Sequence, residues 1–126
     1  MTGWRWRYFK PEEFKSRDGA ESPFPYEVKP ELLDFLDELR SRFGKPLLVT
    51  SGYRSPAHNK AVGGVPNSFH TQGLAADLRP LDAADLNRLW QLVNSMNTDG
   101  GVGRYDSFVH VDRRGYAARF DKREKQ

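Results

Sequence analysis

Apolar residues at Leu32, Leu33, Phe35, Leu36, Leu39 and Phe43 recur at close to helical spacing. That spacing predicts an amphipathic helix over Pro30–Phe43, opened by a proline and stopped by Gly44. The next apolar run, PLLVTSG, is short, rich in branched side chains and closed by a glycine, so a buried strand is expected over Leu47–Ser51. SPAHNKAVGG reads as a short helix ending where Gly63 and Gly64 let the chain turn. In LAADLRP the period drops to two, with Ala75 and Asp77 on one face and Leu74, Ala76 and Leu78 on the other. Helical periodicity returns over residues 82–96 through Leu86, Leu89, Trp90 and Val93. GGVGRYDSFVHVDRRG predicts two short strands or one bent strand, in which Phe108, His110 and Asp112 share a face opposite Val109 and Val111.

The two ends are less regular. Residues 1–28 are aromatic-rich and broken by Pro11, Pro23 and Pro25; KPEEF suits one helical turn, and Trp4, Trp6, Phe9 and Phe14 are expected to wrap part of the core. Residues 113–126 read as a basic C-terminal tail. With no repeat, low-complexity tract or linker, the chain is expected to be one small α+β domain over 1–126, an antiparallel sheet flanked by helices.

Composition narrows the chemistry. An aromatic content of 13% excludes a disordered chain. The net charge of +3 is spread along the sequence and suits any polyanion, cell-wall polymers included. There is no cysteine, so any metal site must be built from His, Asp or Glu. No apolar run reaches the length of a secretory signal or a membrane span. Export, if it occurs, is therefore expected to use another route.

Within SFHTQGLAADL, His70 stands seven positions before Asp77, a carboxylate in an otherwise apolar strand, and Gly73 between them permits a turn that would bring the two together. On spacing alone, Asp77 serves equally well as a turn cap or the partner of an arginine. If Val109 and Val111 fill the core, His110 faces a cleft where a third ligand would sit. Two imidazoles and one carboxylate form a set that catalytic zinc uses with its fourth position open. A divalent cation would also explain why a buried carboxylate is tolerated.

SGYRSPAHNKAVGGVPNSFHTQGLAADL followed by GVGRYDSFVHVD resembles the M15 peptidase family, the zinc D-Ala-D-Ala carboxypeptidases and peptidoglycan endopeptidases, and above all its short phage and bacterial branch. The resemblance runs over about residues 9–112, with the specific part in residues 51–77. It implies the fold of that family and of the Hedgehog domain, one Zn2+ per chain, and zinc ligands at His70, Asp77 and His110. By the same resemblance Arg54 polarises the scissile carbonyl or holds a substrate carboxylate, and Ser68 hydrogen-bonds substrate. His58 has no counterpart among the ligands and is left structural. The sequence departs from the family where many members place a catalytic base, since those positions hold Ser107 and Phe108. Asp106 and Asp112 are the candidates that remain: Asp106 through a bulge or turn at YDS, Asp112 either as base or as a carboxylate orienting His110.

The function implied is hydrolysis of a peptide bond in peptidoglycan stem peptides by a metal-activated water. Which bond is cut stays open. A metal-retaining, non-catalytic cell-wall-binding module on the same fold is the alternative. A nucleic-acid-binding domain using the Trp- and Arg-rich start is the more distant one, and no nucleic acid partner is expected. The oligomeric state is not legible, with a monomer the default. Synthesis in the cytoplasm and action on the cell wall after release, by phage lysis, as part of a virion or by another export route, is the expected localisation.

Overall fold

The computed structural model describes residues 6–18, 28–65 and 68–124. Three helices, α1 (Pro30–Phe43), α2 (Pro56–Ala61) and α3 (Leu86–Met96), accompany five strands: β1 (Leu47–Ser51), β2 (Ala75–Pro80), β3 (Gly101–Arg104), β4 (Val109–Asp112) and β5 (Ala118–Asp121). They form one sheet in the order β1-β2-β4-β3-β5. Every pairing is antiparallel except that of β5, which joins β3 in parallel. The α+β expectation therefore holds with one correction: the sheet is mixed, because part of the expected basic tail is its edge strand.

α1 and β1 occupy the residues that the apolar pattern marked. Gly44, in the left-handed conformation, ends α1 and donates its N–H to the Arg40 carbonyl. Helical structure in residues 82–96 begins later than expected. Asp82 accepts from the Ala84 N–H and opens a 3-10 turn over Ala83–Asp85, so α3 starts at Leu86.

Period-two alternation divides the sheet into two functions. Ala76 and Leu78 on β2, Val102 on β3, and Val109 and Val111 on β4 join Leu32, Leu33, Leu36, Leu39, Leu89 and Val93 of the helices in one apolar core. The same alternation turns Asp77, His110 and Asp112 to the opposite face. In register, Asp77 lies directly across from His110, and His110 across from Gly103.

The N-terminal segment wraps as expected where it is described. Trp6, Phe9 and Phe14 are buried in the core, Trp6 donating its indole N–H to Asp34 at 2.8 Å, while Trp4 lies outside the described residues. KPEEF forms a 3-10 turn over Pro11–Phe14. No strand forms in residues 6–10. The Phe14 carbonyl accepts from Tyr53 N–H, and the Arg17 guanidinium donates to the Val49 carbonyl. These bonds tie the segment to β1 and to the loop that leads into the site.

Candidate metal centre

Three side chains meet on the face of the sheet opposite the core. Asp77 and His110 come from neighbouring strands in register, and His70 from the loop before β2. The loop is fixed by its own hydrogen bonds: the Ser68 hydroxyl accepts from the His70 N–H at 3.0 Å, and the His70 carbonyl accepts from Arg54 N–H at 3.2 Å. Gly73, at φ +73°, supplies the turn that its place in the sequence suggested.

The protons on the two imidazoles are assigned by their outer partners. His70 Nδ1 lies 2.7 Å from the Gly52 carbonyl, which can only accept, so Nδ1 carries the proton and Nε2 turns a lone pair inward. His110 Nε2 lies 2.8 Å from Asp112 Oδ2, leaving Nδ1 to face inward. Asp77 Oδ1 sits 3.3 Å from His70 Nε2 and 2.9 Å from His110 Nδ1. The three inward atoms lie within 4.8 Å of one another, all on buried residues. Three acceptors facing one another out of water need a cation between them or protons on the rings. Two nitrogens and one oxygen, each ring braced from outside, fit zinc.

The electrostatics agree. Burial alone would raise the Asp77 carboxyl, but hydrogen bonds from His110 and His70 and their charge outweigh it and hold Asp77 well below the usual carboxylate range. Burial works against a charged His110, yet its bonds to Asp112 and Asp77 push it up. Asp112 is likewise opposed by burial and lowered by Arg114 and His110.

The centre opens into a cleft of about 610 Å³ lined by Arg54, Ser68, Phe69, Tyr105, Phe120 and Lys122 among others. Arg54 is held by Ser51 Oγ at 3.2 Å and Asn59 Oδ1 at 3.3 Å, with Nη2 3.5 Å from Asp77 Oδ2. Ser68 also lines the cleft. The chain matches the family model Peptidase M15 over residues 7–112.

It belongs to the M15 peptidase family.

No curated protein matches the chain. The two M15 base candidates lie elsewhere. Residues 105–108 are the turn of the β3–β4 hairpin, with Tyr105 N–H donating to the Phe108 carbonyl, so the strand does not extend back to Asp106. Asp106 is exposed and accepts from Glu124 N–H at 3.0 Å, away from the cleft lining. Asp112 is fully buried: Oδ1 accepts from Gly101 N–H at 3.1 Å and from the Arg114 N–H and Nε, while Oδ2 accepts from His110 Nε2 and from Arg114 Nη2 at 2.7 Å. His58 is half-buried on α2 and does not line the cleft.

Sequence reasoning passed over several of the M15 site's neighbours. Tyr105, Phe120, Lys122 and Arg114 line the cleft. Arg114 forks onto both oxygens of Asp112 and lies 4.6 Å from the Phe69 ring centre. An Arg two residues after an acid at a strand end was the available sign, since that spacing suits a bidentate pair.

Proposed function

We propose that this M15 member is a zinc-dependent peptidase that hydrolyses a peptide bond in the stem of bacterial peptidoglycan, as a D-Ala-D-Ala carboxypeptidase or an endopeptidase. The observation that carries the reading is the convergence of His70 Nε2, Asp77 Oδ1 and His110 Nδ1 on one point, with the outer nitrogens engaged by the Gly52 carbonyl and Asp112. Zinc held there supplies Lewis acidity and a water reactive near neutral pH. The protein's own residues supply the rest. Arg54, braced on two sides, holds a substrate carboxylate or polarises the scissile carbonyl. Ser68 keeps the His70 loop in shape and borders the substrate. Arg54, Arg114 and Lys122 surround a cleft in which Asp77 is the only carboxylate among the described lining residues. That balance favours an acidic peptide, such as a stem peptide with its free carboxylates. Asp112 orients His110, and Asp106, exposed and bonded to the Glu124 N–H, stands outside the cleft lining.

The zinc-loaded protein, incubated with purified peptidoglycan, is expected to release new peptide termini readable by mass spectrometry. Free D-alanine would mark a carboxypeptidase, and internal stem-peptide ends an endopeptidase. Unchanged peptidoglycan from protein with full zinc content would sink the enzymatic reading.

One observation favours a second reading, a metal-retaining module that binds the cell wall without cutting it: no carboxylate other than the ligand faces the cleft among the described residues. Co-sedimentation with peptidoglycan in the absence of hydrolysis would select it. Trp6, buried and bonded to Asp34, offers no face for stacking a base, which weighs against a nucleic acid partner. Among the described residues no helix is long and apolar enough to cross a membrane. Cytoplasmic synthesis followed by action on the wall after release fits the proposed substrate.

A further inference from the structure

Tyr105 is clamped at the edge of the metal centre. Its N–H donates to the Phe108 carbonyl at 3.2 Å, and its ring stacks on Phe108 with centroids 4.2 Å apart and planes 15° from parallel. Phe120 meets it edge-on at 6.3 Å and also packs against His110 at 5.4 Å. The ring is thereby tied, through Phe120, to a metal-ligand candidate. Tyr105 borders the same cleft as His70, Asp77, His110 and Arg54, and burial together with the Asp77 charge raises its phenol above the ordinary value. Its hydroxyl has no hydrogen-bond partner among the described residues.

Resting on the peptidase reading above, we propose that Tyr105 is a catalytic residue: its phenol donates a hydrogen bond to the scissile carbonyl oxygen as negative charge develops there, beside the Arg54 guanidinium. A donor aimed at developing charge accelerates the reaction when it is already in place, and two flanking aromatic rings provide that rigidity. No proton changes hands in this role, so it does not depend on finding the base.

The test compares wild type with Tyr105→Phe, which keeps the ring and removes only the hydroxyl. The probe is a phosphinate pseudodipeptide of Ala-Ala, a tetrahedral anion resembling the transition state, and its affinity for the zinc-loaded proteins is read by calorimetry. Tyr105→Phe is expected to bind the phosphinate about 10²-fold more weakly, in line with removal of one oxyanion donor. Zinc content and affinity for the product D-alanine, whose carboxylate is planar, should match wild type, and kcat should fall while KM holds. Equal phosphinate affinity in the two proteins overturns the assignment, and so does loss of zinc by the variant, which would make the role structural. If wild type cuts no stem peptide while the phosphinate still discriminates, the peptidase reading fails and the Tyr105 donor stands.

Discussion

Asp112 offers no free lone pair to a substrate, yet it sets the orientation of a ring that faces one. Its oxygens are engaged by Gly101, Arg114 and His110, so its influence on the centre passes through His110 Nε2. Asp112→Asn should weaken zinc binding by about 10–100-fold, the usual effect of losing such an outer carboxylate. Competition with a chromophoric chelator would read this directly. Asp106→Ala, by contrast, should change neither zinc affinity nor hydrolysis, and a substantial loss of activity in that variant would restore Asp106 as the base. pH acts on the same residues. His110 is raised above its ordinary value of 6.5, so in metal-free protein its charged form contributes stability that is fully present below that value and is lost as pH rises through the folded one. Asp77 is lowered, so its contribution is present above the ordinary carboxylate range and is lost in strong acid. Zinc must displace the His110 proton. The gap in Tm between zinc-loaded and metal-free protein should therefore widen as pH rises from about 6 to about 8.

The β3–β4 hairpin places its side chains through what β3 lacks. A Cβ on Gly101 would lie 2.3 Å from Asp112 Oδ2, and one on Gly103 2.2 Å from the Phe120 ring. Asp112 is locked by its hydrogen bonds, and the Phe120 ring is packed against Tyr105 and His110. Gly101→Ala should thus lose about 1–3 kcal/mol of stability in denaturant titration, as overpacking does. It should also weaken zinc as Asp112→Asn does, although residue 101 touches no ligand. Gly103→Ala should disturb the cleft wall at Phe120 and, because its Cβ would also come within 3.0 Å of the His110 Cβ, weaken zinc as well. These contacts explain what could be read from sequence at this scale. Alternation put Asp77 opposite the apolar face of its strand, and His110 and Asp112 opposite that of theirs; the register of β2 and β4 then brings the three to one face. The turn at YDS was legible, but not the direction it gives Asp106, which accepts from the Glu124 N–H away from the cleft lining. β5 escaped notice because ARFD offers one large apolar residue, Phe120, and its pairing partner β3 is distant in pattern though close in space.

Across the molecule, the candidate ligands come from the loop before β2, from β2 and from β4, so a bound ion would add a further tie between the hydrogen-bonded loop and the sheet. Zinc at a hundredfold excess over its Kd should add about 2.7 kcal/mol to unfolding, provided the unfolded chain does not bind it. Chelation should lower Tm accordingly, and a melting curve indifferent to zinc and chelator would argue that His70 and Asp77 belong to an inert scaffold. The core was largely legible, since α1 and β1 declare themselves by periodicity. Of the cleft, Arg54 and Ser68 were legible, but the opposite wall was not, because it is assembled from the β3–β4 turn and the β5 region, which meet only in three dimensions.

β5 and the residues leading to it lie beyond the family-matched stretch, which ends at residue 112, the last position of β4. The candidate ligands all fall inside that stretch, while Phe120 and Lys122 of the cleft fall outside it. The cleft wall is thus drawn from both sides of that boundary, with Arg54, Ser68, Phe69 and Tyr105 before it and Arg114, Phe120 and Lys122 after it. For protein engineering, Lys122 is the place to alter one wall of the cleft without touching a candidate ligand, whereas Phe120, packed against His110, must be kept.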